Sequence, residues 1–463
     1  MNEDAQFRAI VCGAGEVGRS IARHLAEEEA AAVTLIAQEA ELLERARRNT
    51  AGIETLRGHP AHPPVLREAG ADNANLLVAV TRSDETNMVA CQVAHSVFSI
   101  RTRIARVSNP AYQEEDWPQL YGRNDLPAEI IVPEREVAIA LSRLVALPGA
   151  SDAVGFVGGR VQLIGMKLDQ QSPVLSHPLH ELTELFPELH ARVVYIVRDG
   201  LGIVPRKDET LAVGDEVFVV TEANRVNRVL RSFGREIGAP RRILIVGGGN
   251  LGRRVAQRIA KQESAEGVTV LEADPNIAQQ ADEILDGMKV LLGDPRDDGV
   301  LEEAGVNDAA MLLALTENDE VNTLVSALAK QKGCPYAATV THDNKYGSLL
   351  SQLGIDQAIV PRSATVSKIL RWVRRGRVQA VHTLHDGRAE VMDYEALDTS
   401  SIAGTSLRSL KLDSDIAIGA IVRDGEVVLP VGDTVIRPGD RVIVLVTHEK
   451  VQALEAAFGT AKL

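Results

Sequence analysis

The chain has 463 residues, with 50 Lys and Arg against 64 Asp and Glu, 45% apolar and 25% charged residues, and a formal net charge of −14. The mix is that of a folded protein, and the length suggests about three domains. The acidity argues against a nucleic-acid partner, because a phosphate backbone needs a basic surface.

Cys12, Cys91 and Cys334 carry no CxxC or other paired spacing, which fits a reducing compartment. The acidic start "MNEDAQFRAIV" enters a strand almost at once, so no signal peptide is expected. No apolar run approaches the 18 or so residues of a membrane helix. A cytoplasmic chain that does not itself span a membrane is expected.

In chain order, the first element is "IVCGAGEVGR", a short apolar strand running into Gly13, Gly15 and Gly18 and then a helix. A GxGxxG loop has a specific rationale. The first Gly permits the tight turn, the second lets the backbone approach a pyrophosphate, and the third lets helix pack on strand. The helix N-terminus then faces the phosphates, so Ala14, Glu16 and Val17 would lie along a ligand. An acid ending the next strand would bond the ribose; "VTLIAQEA" puts Ala37 there, with Gln38 or Glu39 as an unequal substitute. Gly58-His59 ends the third strand, Thr81-Arg82 the fourth, and Arg106 the fifth. Strand carboxyl ends are where open α/β sheets hold ligands, and Arg106 suits a phosphate as a charged fork. His59 and His62 in "GHPAHPP" suggest no metal: the prolines exclude a helix and no third ligand is near. Cys12 reads as a small buried residue.

The same pattern then recurs. "LIVGGGNLGR" carries Gly247, Gly249 and Gly252, with Gly248, Asn250 and Leu251 along the ligand path. Glu272 in "VTVLEADP" supplies the ribose acid, Gly293-Asp294 ends the third strand, and Thr316-Glu317 the fourth. "GHPAHPPVLREAGADNANLLVAVTRSDETN" matches "GDPRDDGVLEEAGVNDAAMLLALTENDEVN". By a uniform offset, Arg106 corresponds to Thr341. "ARVVYIVRDGLGIVPRKDETLAVGDEVFVV" matches "IAIGAIVRDGEVVLPVGDTVIRPGDRVIVL". One unit is therefore used twice, with a junction near Arg235–Arg242.

The expected fold is α/β: two tandem Rossmann-type lobes with doubly wound parallel sheets, each followed by a small α+β domain. The expected boundaries are 1–150, 151–235, 240–376 and 377–463. Near-continuous apolar strands such as "NLLVAVT" and "MLLALT" predict sheets covered on both faces. "RDG" and "VGDEV" or "PGDRV" read as hairpin turns in the small domains. The helices over 134–145 and 362–373 have apolar faces (Val137, Leu141, Leu144; Val366, Ile369, Leu370, Val373). They either mediate assembly or pack on their own domain's sheet. "RWVRRGR", Arg371 to Arg377, is a basic cluster suited to a membrane partner, lipid headgroups or solvent.

Together "GAGEVG", the "GHPAHPP…TRSDETN" segment, "RIARVSNP" and the second "GGGNLG…ENDEVN" resemble the TrkA family, the nucleotide-binding regulatory subunits of bacterial Trk potassium uptake systems. The likeness covers essentially the full length, and its units look like regulator-of-potassium-conductance (RCK, or KTN) domains. It implies regulatory binding of NAD(H) and ATP or ADP without redox turnover. It implies a homotetrameric ring on the cytoplasmic face of the inner membrane, gating a Trk potassium-translocating membrane subunit. The family positions carried over are Gly13 to Val17, His59, Thr81 and Arg106, then Gly247 to Leu251, Glu272, Asp294 and Thr316. Ala37 and Thr341 depart from the pattern. Two alternatives are an NAD-dependent oxidoreductase with a duplicated cofactor domain, for which no substrate domain or shared proton-transfer group is visible, and a soluble nucleotide sensor for a non-channel partner.

Overall fold

A computed structural model describes residues 7–27, 31–112, 129–186, 189–235, 242–262, 265–342, 347–373, 378–384, 387–410 and 412–458. Side chains after Ile369 in the helix over 361–373, and all of 374–377, lie outside these. The apolar positions Leu370 and Val373 and the basic cluster are thus not described, nor is most of the junction.

The first lobe contains β1 (Arg8–Cys12), α1 (Glu16–Glu27), β2 (Ala32–Ala37), α2 (Ala40–Asn49), β3 (Ile53–Arg57), α3 (Pro63–Glu68), β4 (Leu76–Ala79), α4 (Asp84–Ser96), β5 (Thr102–Arg106) and β6 (Glu129–Ile131). Its sheet is parallel in the order β3-β2-β1-β4-β5-β6. The order reverses between β1 and β4, which is where doubly wound folds open a ligand crevice. Strand alternation divides the core. Ala9 and Val11 face Ile21 and Leu25 of α1, whereas Ile10 and Cys12 face Ala90, Cys91 and Ala94 of α4. Both sides of the strand are thus apolar, as the sequence predicts.

After α5 (Pro133–Ala146), the first small domain holds β7 (Asp152–Phe156), β8 (Val161–Lys167), α6 (Leu182–Leu185), β9 (Ala191–Arg198), β10 (Leu201–Ile203), β11 (Glu216–Glu222) and α7 (Val226–Ser232). The second lobe repeats the first as β12 (Ile243–Val246), α8 (Asn250–Lys261), β13 (Val268–Glu272), α9 (Pro275–Ile284), β14 (Lys289–Leu292), α10 (Asp298–Glu303), β15 (Met311–Ala314), α11 (Asp319–Gln331), β16 (Tyr336–Val340), α12 (Gly347–Gln352) and β17 (Gln357–Ile359). Its order β14-β13-β12-β15-β16-β17 matches the first sheet. There follow α13 (Pro361–Val373) and the second small domain: β18 (Val378–Leu384), β19 (Ala389–Glu395), β20 (Ile416–Arg423), β21 (Glu426–Val428), β22 (Arg441–Thr447) and α14 (Val451–Ala457). The two antiparallel sheets, β10-β9-β11-β8-β7 and β18-β19-β22-β20-β21, have the same strand order.

Helices α5 and α13 break the linear division. Among the described residues, those of α13 from Arg362 on form one compact unit with the first lobe up to Pro133, and those from Glu134 to Pro361 and from Val378 on form another. Ile369 of α13 is fully buried in the first lobe's core with Ala14, Leu35 and Ala37, and Val366 packs against the same cluster. Val137, Leu141 and Val145 of α5 are buried in the second lobe's core with Ile245 and Val255. The boundaries expected at 150 and 376 would leave each helix with the lobe that precedes it. Instead each covers the sheet of the other repeat. Burial of an Ile or Leu side chain contributes about 1.5–3 kcal/mol wherever it happens, and two homologous sheets offer equivalent grooves. Exchange of like elements between like partners is therefore cheap.

The small domains pack sheet to sheet. Phe156, Leu163, Tyr195 and Phe218 form one cluster with Val391, Ala420, Ile443 and Leu445. Arg160 donates to the carbonyl of Gly425, and Arg388 to that of Gly200. The contact is therefore reciprocal between equivalent residues. The "RDG…GD" turns are clamped alike. Arg198 grips Asp215 through Nε and Nη2, both at 2.8 Å, and Arg423 grips Asp440 at 2.8 and 2.7 Å. Burial raises the Asp215 carboxyl, but the Arg198 fork and the Ala212 N–H outweigh it and hold the group below its usual range.

Candidate functional site

The three glycines of each loop do three different jobs. Gly13 and Gly247 have φ of +111° and +109°, and a Cβ there would meet the backbone after β4 or β15 within 3.0 Å. A Cβ on Gly18 or Gly252 would fall 1.8 Å from the carbonyl oxygen of Gly13 or Gly247. By contrast, a Cβ on Gly15 or Gly249 meets nothing within 4 Å. The outer glycines close the turn; the middle one fronts open space at the start of α1 or α8. That is the cradle a nucleotide pyrophosphate needs, so the loops fit NAD(H) or ATP.

The motif after the fourth strand has a structural basis. Asn87 is fully buried and accepts from the Thr81 N–H at 2.8 Å and hydroxyl at 2.7 Å. It donates to the carbonyls of Thr81 and Arg106. Asn322 repeats this with Thr316 and the carbonyl of Val340. The N-caps are Ser83 and Asn318. Asp84 accepts from the N–H of Ser108 and Asn109, and Asp319 from the hydroxyl of Thr341 and the N–H of His342. Burial raises Asp319, but His342 and Thr341 hold it below its usual range. The motif thus ties β4 to β5 beside the glycine turn. Sequence reading aligned Asn87 with Asn322 in the two repeats but named only the threonines as site residues.

This network also corrects the register. Because Asn87 bonds Arg106 and Asn322 bonds Val340, the counterpart of Arg106 is Val340, not Thr341. Thr341 matches Val107, as the parallel bonds of Val107 N–H to Ile131 and Thr341 N–H to Ile359 require. The uniform offset fails by one residue between α11 and β16. The second lobe still lacks an Arg there. Among the described residues, no hydrogen bond or ion pair engages the Arg106 guanidinium.

Elsewhere the lobes differ. Glu272 accepts from the Gly248 N–H at 2.6 Å and from the N–H of Ala273 and Asp274. The acid is therefore oriented across the loop. Gly248 makes room for it: a Cβ there would lie 3.2 Å from the Glu272 Cβ. In the first lobe both positions carry methyls, Ala14 and Ala37, buried in one cluster. Gln38 is exposed there and its carbonyl accepts from Arg57. Arg82 and Glu317 are exposed. His59 stacks on His62 with ring centroids 4.5 Å apart, and its Nδ1 accepts from the Ala61 N–H. Asp294 forks to Arg296 at 2.6 Å, which holds its carboxyl down at about 2; the acid caps its own turn. Cys12 and Cys91 share one buried cluster. Burial pushes both thiols up, Cys91 to about 12.

At the first loop, Arg19 donates to the Ala14 carbonyl at 2.7 Å, and Arg362 of α13 pairs with Glu16 at 2.9 Å. Burial, then the nearby Arg45 and Arg362, lower Arg19 against the opposing pull of Glu16. Sequence reading did not foresee Arg362, which lies 346 residues away in the chain. At the second loop, Arg253 bonds Asn250 and Gln280 instead.

Paired Rossmann lobes with this loop geometry, each followed by an antiparallel domain, define a tandem RCK-type protein. The GsuK RCK domain superposes with a TM-score of 0.59 at 15% identity, covering 99% of this chain and 96% of that one. The GsuK channel bound to NAD superposes with a TM-score of 0.60 at 14% identity, covering 99% and 80%. The TrkA-N domain family matches residues 9–115 and 243–361, and the TrkA-C domain family 163–234 and 391–459. Trk system potassium uptake protein TrkA of Azorhizobium caulinodans is 39% identical over 98% of both chains. Those of Halomonas elongata and Vibrio alginolyticus are 36% and 35% identical over 96% and 98%. The chain belongs to the TrkA family of Trk-system potassium uptake proteins. The names of these relatives are those of a component of a transport system, not of an enzyme. Among the described residues, no helix is long and apolar enough to cross a membrane.

Proposed function

We propose that this chain is the regulatory subunit of a Trk system, binding adenine nucleotides at both glycine loops and gating a potassium-conducting membrane subunit. The observation that carries the reading is the duplicated cradle: a middle glycine fronting open space at a sheet switch point, present in each lobe. The ligands are NAD(H) and ATP or ADP, held by the loop N–H groups. Gln38, His59, Thr81, Arg82 and Arg106 line the first site; Glu272, Asp294, Thr316 and Glu317 line the second. That a solved GsuK channel of the same fold is described as bound to NAD supports the ligand class. The working assembly is a homotetrameric ring on the cytoplasmic face of the membrane.

The duplication has an energetic logic. Moving a gate from 1:99 to 99:1 takes about 5.5 kcal/mol of differential binding, while one effector typically supplies about 1–3 kcal/mol. Several coupled sites suffice where a single site falls short. Calorimetric titration with NADH and then ATP, with scattering recorded in each state, tests the proposal. One or two sites per chain and two different particle shapes support it. Binding with no change of shape removes the gating half; no binding removes the nucleotide half.

A further inference from the structure

Helix α13 carries a residue of the second repeat to the mouth of the first glycine loop. Ile369 anchors the helix in a cluster that includes Ala14 of the loop itself, with Val17 of α1 packed against it. One turn before Val366, Arg362 reaches Glu16 at 2.9 Å. Glu16 opens α1 and directly follows Gly15, the glycine that fronts open space. We infer that Arg362 is a ligand-binding residue of the first lobe, contacting the polyphosphate chain of a nucleoside triphosphate seated on Gly13–Gly18. The second repeat's helix then reads the first repeat's ligand. The inference rests on the nucleotide reading of that loop proposed above.

Two further observations support it. The Arg362–Glu16 pair is at the rim, with side chains 26% and 57% exposed. Such a pair holds its partners weakly, whereas a guanidinium fork on phosphate is strong and oriented, so re-pairing is downhill. The charge balance also differs between lobes. Around the first loop, Arg19, Arg45 and Arg362 stand against Glu16. At the second, Arg253, Arg254 and Arg135 stand against two acids, Glu272 and Glu134, the latter taking the place of Arg362 on the equivalent exchanged helix. A triphosphate, more highly charged than the pyrophosphate of a dinucleotide, therefore favours the first lobe.

The test is calorimetric titration of the full chain carrying Gly249→Asp, which blocks the second loop, with ATP and separately with NADH. Adding Arg362→Gln is expected to weaken ATP about tenfold and NADH much less. Adding Glu16→Gln frees the guanidinium and is expected to tighten ATP several-fold, so the two variants move in opposite directions. ATP affinity unchanged by Arg362→Gln, or the same sign from both variants, overturns the inference and leaves the nucleotide reading intact. A parent that binds neither nucleotide at the first loop overturns both. Should Arg362→Gln fail to fold, the sign of the Glu16→Gln effect decides alone.

Discussion

Beside the first glycine turn lie two methyl groups, Ala14 and Ala37; beside the second, Gly248 leaves room for the carboxylate of Glu272, which accepts its N–H. The two substitutions are coupled by volume. With alanine at 248, the acid's stem would be crowded at 3.2 Å; with glycine at 14, the cluster holding Ala37 would lose a buried methyl. The lobes share a scaffold down to the asparagine that ties β4 to β5, yet one carries methyls and the other a carboxylate at the loop's edge. The glycines that close the turn are the same in both lobes, and the residues at the proposed ligand edge differ. Stability and recognition are thus separable here.

The scaffold half of that comparison faces its most severe test at Gly18→Ala and Gly252→Ala. Each puts a methyl 1.8 Å from a carbonyl oxygen, and each is expected to cost about 3 kcal/mol or more in denaturant unfolding. Similar losses at the two sites sharpen the idea of one scaffold used twice; a tolerated alanine at either breaks it. Gly15→Asp and Gly249→Asp are expected to leave unfolding nearly unchanged while abolishing nucleotide binding at their own loop. Next come Asn87→Ala and Asn322→Ala, each leaving several buried backbone groups unpaired. Losses of about 2–3 kcal/mol are expected, again alike in the two lobes by chemical denaturation.

The recognition half should respond asymmetrically. Glu272→Gln is expected to weaken NADH at the second loop about tenfold without touching the first. The paired change Ala14→Gly with Ala37→Glu should strengthen NADH at the first loop, whereas Ala37→Glu alone should destabilise that lobe. Equal effects of Glu272→Gln on both loops in site-resolved titration would show that the acid does not act locally. The smallest effect concerns the small domains. Asp215 is held below its usual range by Arg198, so it stabilises the fold above its unfolded value of about 4 and loses that contribution as pH falls through its lower folded value. Asp215→Asn should flatten that acid limb in a pH series of melts. An unchanged limb would assign acid sensitivity to other carboxylates.

Much of this was legible in the residues. The repeats, the parallel-sheet lobes, the glycine turns and the contrast between Ala37 and Glu272 all follow from local chemistry: φ beyond +20°, strand periodicity, and one acid at one strand end. The register of Arg106 was not, because an offset measured on helices α4 and α11 slips by one residue before the next strand. The hydrogen bonds of the buried asparagines and the backbone bonds of Val107 and Thr341 reveal it.

What the sequence determined by itself is the inventory of surfaces: apolar faces on α5 and α13, glycine loops at strand ends, and turn residues flanked by apolar runs. What only the tertiary structure decided is which surfaces meet. The hydrophobic effect is non-directional, and the two lobes offer nearly identical grooves, so an apolar helix face does not name its sheet. That choice depends on chain geometry across hundreds of residues, and it is what sets Arg362 beside Glu16 at the first glycine loop.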